Sequence, residues 1–274
     1  MKNQSRSAQK TIEINAPVEQ VWKTVTQAEE LTNWFPLKVK NKGNGRVKLM
    51  WGKSDFFNLQ LTEFELFKHF KVRELPPDSD EIDEILNEQV RKELRSKKEA
   101  LSIDVTLTGK KGKTVLLLIH SGFGYESHWD DIYLGVKKGW EFELRGLKHY
   151  IENHFGTKRY ALWLKKEHSL SLQESWDRFM DNFKESVDNL NENDPYTLTE
   201  NIGEIYKGYT MINDYPYSFA GTLTNFNDSI LRMENYKNGD KVISYFFIAG
   251  YGVSKAKIDS IKKRWRKILD TTFV

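Results

Sequence analysis

The chain of 274 residues contains no cysteine. Disulfides, thiolate zinc sites and thiol nucleophiles are therefore excluded. No apolar run approaches the 18 residues or so that a membrane-spanning helix needs, so no membrane span is expected. Charge of one sign is also lacking: 42 Lys and Arg face 39 Asp and Glu, a net of +3. Neither half has a marked excess, which argues against a nucleic-acid partner. No Gly-x-Ser-x-Gly elbow, phosphate loop or dinucleotide fingerprint occurs, and Gly122-Phe-Gly124 lacks the third glycine of the last. Met1 to Ser7 is polar and carries no apolar signal region, so the expectation is a soluble, cytoplasmic protein without a cofactor.

What the chain does have is enough apolar material for real cores, 39% hydrophobic and 13% aromatic. Its length suits two domains of about 130 residues. The organising stretch runs from Ser121 to Phe155, after the apolar run Val115 to Ile119. Trp140, Leu144, Leu147, Ile151 and Phe155 recur at helical spacing, predicting a long helix from about Trp129 to His154. A helix with one such stripe needs a broad sheet to lie on.

Strands and helices follow in order. Ile12 and Ile14 alternate in a first strand, and Pro17 starts a helix with Val18, Val21, Trp22 and Val25 on its buried stripe. Leu31 to Phe35 reads as a second short helix, stopped by Pro36. Strands are expected over Leu37 to Lys42, Arg46 to Trp51, Phe57 to Leu61, Phe70 to Leu75, Leu101 to Thr108 and Lys113 to Ser121. Between them, residues 77–100 form a charge-dense insert with Ile82, Ile85, Leu86, Val90 and Leu94 at helical spacing. Acids come first and bases last, which suits a helix dipole. A surface helix is the plainer reading and a partner-binding element the lesser one.

After Gly156 the pattern begins again. Tyr160 to Leu164 is strand-like, Ser171 to Glu174 is a capping box opening a helix, and Asn189 to Thr199 reads as polar loop. Four further strands lead to Gly250-Tyr-Gly252 and a last helix with Ile258, Ile261, Trp265 and Leu269. Ile119-His-Ser-Gly-Phe-Gly124 aligns with Phe247-Ile-Ala-Gly-Tyr-Gly252, which sets Ile248 opposite His120. The paired tryptophans are 118 apart in the first half (22 to 140) and 89 in the second (176 to 265). The difference of 29 is close to the insert's length, so the second copy should lack it. Two domains are expected, 1–155 and a shorter, degenerate 156–274.

Ile12 to Trp22, Leu31-Thr-Asn-Trp-Phe-Pro36, His120-Ser-Gly-Phe123 and Gly139-Trp140 with Leu144 and Leu147 together resemble the START-like, helix-grip (SRPBCC) superfamily. More narrowly they resemble its bacterial branch similar to the activator of heat-shock protein 90 ATPase. The resemblance covers about Lys10 to Phe155 well and the second half in outline. It implies an α+β fold in which a curved antiparallel sheet wraps a long C-terminal helix, with an apolar pocket between them. Members bind hydrophobic molecules and a few are enzymes, so the fold alone leaves function open.

Candidate pocket residues follow from strand and helix phase. Trp51, Phe57, Leu59 and Leu61 share one face; Trp140, Leu144 and Leu147 oppose them. Each could equally be plain core. His120 falls in phase with Leu116 and Leu118, but Val115, Leu117 and Ile119 make an equally apolar alternative face. The resemblance implies that it points inward. There, with Tyr125, it could orient a ligand's carboxylate, phenol or carbonyl, or move a proton. Gly135, Gly139 and Gly146 form a stripe for which close sheet packing is the simplest reason. Glu126, His128, Asp130 and Asp131 crowd the corner before the long helix, yet match no metal-ligand spacing, and no metal is expected.

Three functions compete. The first is non-enzymatic binding of a small hydrophobic molecule in the first domain, braced by the second. The second is co-chaperone action on a heat-shock ATPase through the outer surface. The third is a START-like cyclase or hydrolase using His120 with Glu126 or Tyr125.

Overall fold

A computed structural model of the chain describes residues 5–53, 55–77, 89–90, 92–93 and 101–273. The chain divides into two compact units, Met1–Gly156 and Thr157–Val274.

The first unit opens with β1 (Arg6–Ile14) and α1 (Val18–Thr26), whose Pro17 sits in extended conformation at the N-cap. Trp22 of α1 is buried against Phe64, Phe67 and Phe70, all edge-on. The second short helix lies earlier than its sequence suggests: α2 covers Ala28–Leu31, not 31–35. The next residues fold back instead, because the Trp34 indole donates to the Thr24 carbonyl (3.0 Å) and draws Trp34 and Phe35 into the core. Strands β2 (Lys38–Gly43), β3 (Arg46–Met50), β4 (Phe56–Glu65), β5 (His69–Leu75), β6 (Ser102–Lys110) and β7 (Lys113–Phe123) follow. They join β1 in an antiparallel sheet of order β1-β7-β6-β5-β4-β3-β2.

The corner after β7 is built by two glycines. Gly122 takes φ +103°, a conformation that side chains with a Cβ rarely adopt. A Cβ on Gly124 would lie 2.4 Å from Glu126 Oε2 and 2.6 Å from the Trp129 ring. One 3-10 turn (Ser127–Trp129) then leads into α3, Asp130–Asn153. Its 24 residues span about 36 Å at 1.5 Å each. Trp140, Leu144, Leu147 and Ile151 are buried as their spacing predicts. The last turn is held by Tyr150, whose hydroxyl donates to Glu30 (2.7 Å) and accepts from Asn33 (3.0 Å) and the Gly156 amide (3.1 Å). Burial, and then the hydrogen bond to Glu30, push that hydroxyl's pKa up to about 12. At the other end Arg6 pairs with Asp130 at 2.6 Å, joining β1 to the helix start.

The glycine stripe does not pack closely. At Gly135, Gly139 and Gly146 an added Cβ would meet nothing within 4 Å, so close approach to the sheet is not their role. Most of the insert lies outside the described residues. Gln89, Val90, Lys92 and Glu93 are helical, and Val90 is buried with Leu101, Phe123 and Trp129.

The second unit repeats the plan. It comprises β8 (Arg159–His168), α4 (Leu172–Met180), β9 (Pro195–Thr199), β10 (Ile205–Asp214), β11 (Ser218–Leu223), β12 (Ser229–Asn238), β13 (Lys241–Tyr251) and α5 (Lys255–Thr272). The sheet order, β8-β13-β12-β11-β10-β9, is that of the first unit without a counterpart of β2. The capping box at Ser171 and Glu174 forms. The polar loop ends sooner than its composition implies: Pro195–Thr199 is a strand, paired with Ile205 to Tyr209, with Tyr196 and Leu198 buried. Where the first unit carries its insert, only a 3-10 turn (Thr224–Phe226) and two further residues separate β11 from β12.

Candidate functional site

Register places His120 on the inner face. It pairs with Ile103, Leu118 pairs with Val105, and Leu116 with Leu107, and all six are buried. Continuing across the sheet, Ile103 pairs with Val72, Val72 with Leu61, and Glu74 with Leu59. Side chains directly opposite in a sheet share a face. Leu118, His120, Glu74 and Leu59 therefore belong to one surface, toward which α3 turns Trp140.

Three polar groups meet there. The Trp140 Nε1–H donates to His120 Nδ1 at 3.1 Å. An indole nitrogen can only donate, so Nδ1 keeps its lone pair and the imidazole proton sits on Nε2. That Nε2 lies 3.0 Å from Glu74 Oε1, close enough for an ion pair, yet off the line of a directed hydrogen bond. The His120 side chain is 1% exposed and that of Glu74 is 9% exposed. Among the described residues Glu74 has no other polar side-chain partner.

Aromatic rings surround this chain of groups. The Phe35 ring is 5.2 Å from Trp140 and 4.9 Å from Trp51, and Trp51 is 5.5 Å from Phe57. Phe123 lies 4.9 Å from the His120 ring on the other side. Trp51, Phe57, Phe70 and Val72 remain partly exposed, whereas Leu59, Leu118, Trp140, Leu144 and Leu147 are buried.

Two expected members are elsewhere. Tyr125 is 59% exposed, beyond the glycine corner, with the Arg6 guanidinium 5.8 Å from its ring. Leu61 has the inward register but is 38% exposed, because β4 runs out toward its turn. Glu126 is exposed on that same corner, so neither it nor Tyr125 is the polar partner of His120. Glu74 is, a residue outside the candidates that the sequence points to. Its signal was available: in Phe70 to Leu75 the alternation that turns Phe70 and Val72 inward carries a carboxylate with them. Phe35 joins the site because the short helix stops at Leu31 instead of running to residue 35.

At the corner, Glu93, Glu126 and His128 bring ligating atoms within 4.8 Å of one another. Glu93 Oε1 lies 2.7 Å from His128 Nε2, and its Oε2 accepts from Trp129 Nε1 at 3.0 Å. These contacts tie the insert to the corner. Asp130 is taken by Arg6, and Asp131 is exposed. Among the described residues no helix is long and apolar enough to cross a membrane.

The profile of the family described as Activator of Hsp90 ATPase homolog 1-like protein matches residues 15–152, half of the chain. The chain belongs to that family. The matched span begins one residue after β1 and closes one residue before the end of α3, so the family's segment holds the whole Glu74–His120–Trp140 chain. No curated protein matches. Among solved structures, the Aha1 dimer from Colwellia psychrerythraea shares 16% identity over 55% of this chain and 99% of its own, with a TM-score of 0.44. DynU16, from the dynemicin biosynthetic locus, shares 14% identity over 97% and 95%, with a TM-score of 0.42. The di-domain ARO/CYC BexL of the BE-7585A biosynthetic pathway shares 12% over 97% of both chains, also at 0.42. The fold is α+β, two antiparallel sheets each with a long closing helix.

Proposed function

We propose that the first unit binds a small hydrophobic molecule against the inner face of its sheet, without chemistry. The carrying observation is a contrast between equivalent faces. In the second unit Tyr196, Leu198, Tyr206, Phe219, Phe246 and Ile248 are all buried in one filled core. In the first, Trp51, Phe57, Phe70 and Val72 stay partly exposed beside a buried carboxylate and imidazole. Covering such apolar surface contributes about 25 cal/mol per Å². An enzymatic role for His120 is disfavoured, because Nδ1 is occupied by Trp140 and Nε2 carries the proton, which leaves no lone pair to act as a base. The test is titration of the full chain with Nile red, a neutral probe. We expect saturable binding at one site per chain, weakened about tenfold by Trp51→Ala; absence of saturable binding would end the proposal.

Action on a heat-shock ATPase is a second reading. It draws on the family's description and on Phe64, Leu66 and Phe67, three exposed apolar side chains at the β4–β5 turn. Stimulation of the host chaperone's ATPase, lost in Phe64→Ser, would support it; no stimulation would remove it.

A further inference from the structure

Glu74 presents a problem of charge. A carboxylate withdrawn from water is costly unless something donates to it. Its only polar side-chain neighbour among the described residues is the neutral His120 imidazole, offset from the bonding direction, and no Lys or Arg of those residues pairs with it. Oε1 is fully covered, so the 9% of the side chain that solvent still reaches lies away from His120. Glu74 sits opposite Leu59 of β4, with the partly exposed Phe57 and Val72 next to that pair on the same face.

Resting on the binding reading above, we infer that the ligand is an apolar molecule whose polar end donates a hydrogen bond, an amine or a hydroxyl, and is not an acid. The amine or hydroxyl hydrogen meets the open side of Glu74, and the apolar body lies against Trp51 and Phe57. An anionic ligand would bring a second negative charge to a carboxylate that no cation of the described residues pairs with, where water screens little. Trp140, by holding His120 in one tautomer, keeps the N–H facing Glu74, so the imidazole supplies no acceptor for the ligand. The carboxylate does.

The experiment is displacement of Nile red from the full chain at pH 7 by decylamine, 1-decanol and decanoate, which share one apolar tail. The amine and the alcohol should each displace the probe at concentrations about tenfold or more below decanoate, the amine lowest. Glu74→Gln should bring the three within a fewfold of one another while Nile red still binds. Equal potency in the unchanged protein, or decanoate strongest, overturns the inference and leaves the binding reading intact. A ranking that persists in Glu74→Gln overturns it as well. Failure of Nile red to bind at all sinks the binding reading itself. Far-ultraviolet circular dichroism of Glu74→Gln separates a lost carboxylate from a lost fold.

Discussion

The two long helices carry their tryptophans to equivalent places and meet opposite surroundings. Trp265 stacks on Phe246 at 3.6 Å, and its Nε1 donates to Glu200 at 2.6 Å. Glu200 also accepts from Tyr206 and, at 2.7 Å, from Arg264 Nε, so a fully buried carboxylate is saturated with donors. Burial and the Glu200 charge hold the Tyr206 hydroxyl well above its usual range, and donation to Glu200 raises Arg264 despite its partial burial. Trp140 donates instead to a histidine, behind which stands a carboxylate whose Oε1 has no directed partner among the described residues. The same scaffold thus supports a finished core in one unit and an unsatisfied polar group in the other. A carboxylate surrounded by donors stabilises, and one left short of donors is free to recognise something else.

The sharpest way to break the comparison is to remove both tryptophans in turn. Trp265→Ala should cost about 3–5 kcal/mol, because it empties the centre of a filled core and removes one of the donors to Glu200. Trp140→Ala should cost about 2 kcal/mol, since half-exposed neighbours can close over the gap. Hydrogen exchange read on peptides of each unit assigns the loss, and equal costs would refute the contrast. Next, Glu200→Gln should destabilise the second unit by about 3 kcal/mol, because Arg264 keeps only its longer contact to Glu204 (3.3 Å) and Trp265 and Tyr206 lose a charged acceptor. Glu74→Gln should change the first by less than about 1 kcal/mol, because little donation is lost. Urea denaturation measures both. Smallest, Gly139→Ala and Gly146→Ala should each stabilise by roughly 1 kcal/mol, as expected for helix-interior glycines with open space at Cβ. Destabilisation would restore the close-packing explanation for that stripe.

Much of the architecture was legible in local pattern. Ile12 and Ile14 alternate, Trp140, Leu144, Leu147 and Ile151 keep helical spacing, and Ser171 announces its helix; each depends on residues within a few positions of itself. Local pattern misleads where distant contacts decide. Trp34 and Phe35 left the expected helix because an indole found the Thr24 carbonyl. Pro195–Thr199 became a strand because Ile205 to Tyr209 offered an edge. Tyr125 lay near His120 in sequence yet turned outward at Gly124, while Glu74, 46 positions before His120, arrived beside it.

The sequence by itself determined most of the strands, the two long helices and their repetition, since periodicity of burial is written residue by residue. Only the tertiary structure decided which face His120 occupies and which acid it meets, because both faces of its strand are equally apolar. It alone also distinguished a filled core from a partly open one: that depends on how side chains from five strands and a helix fit together, and no single segment encodes such a fit.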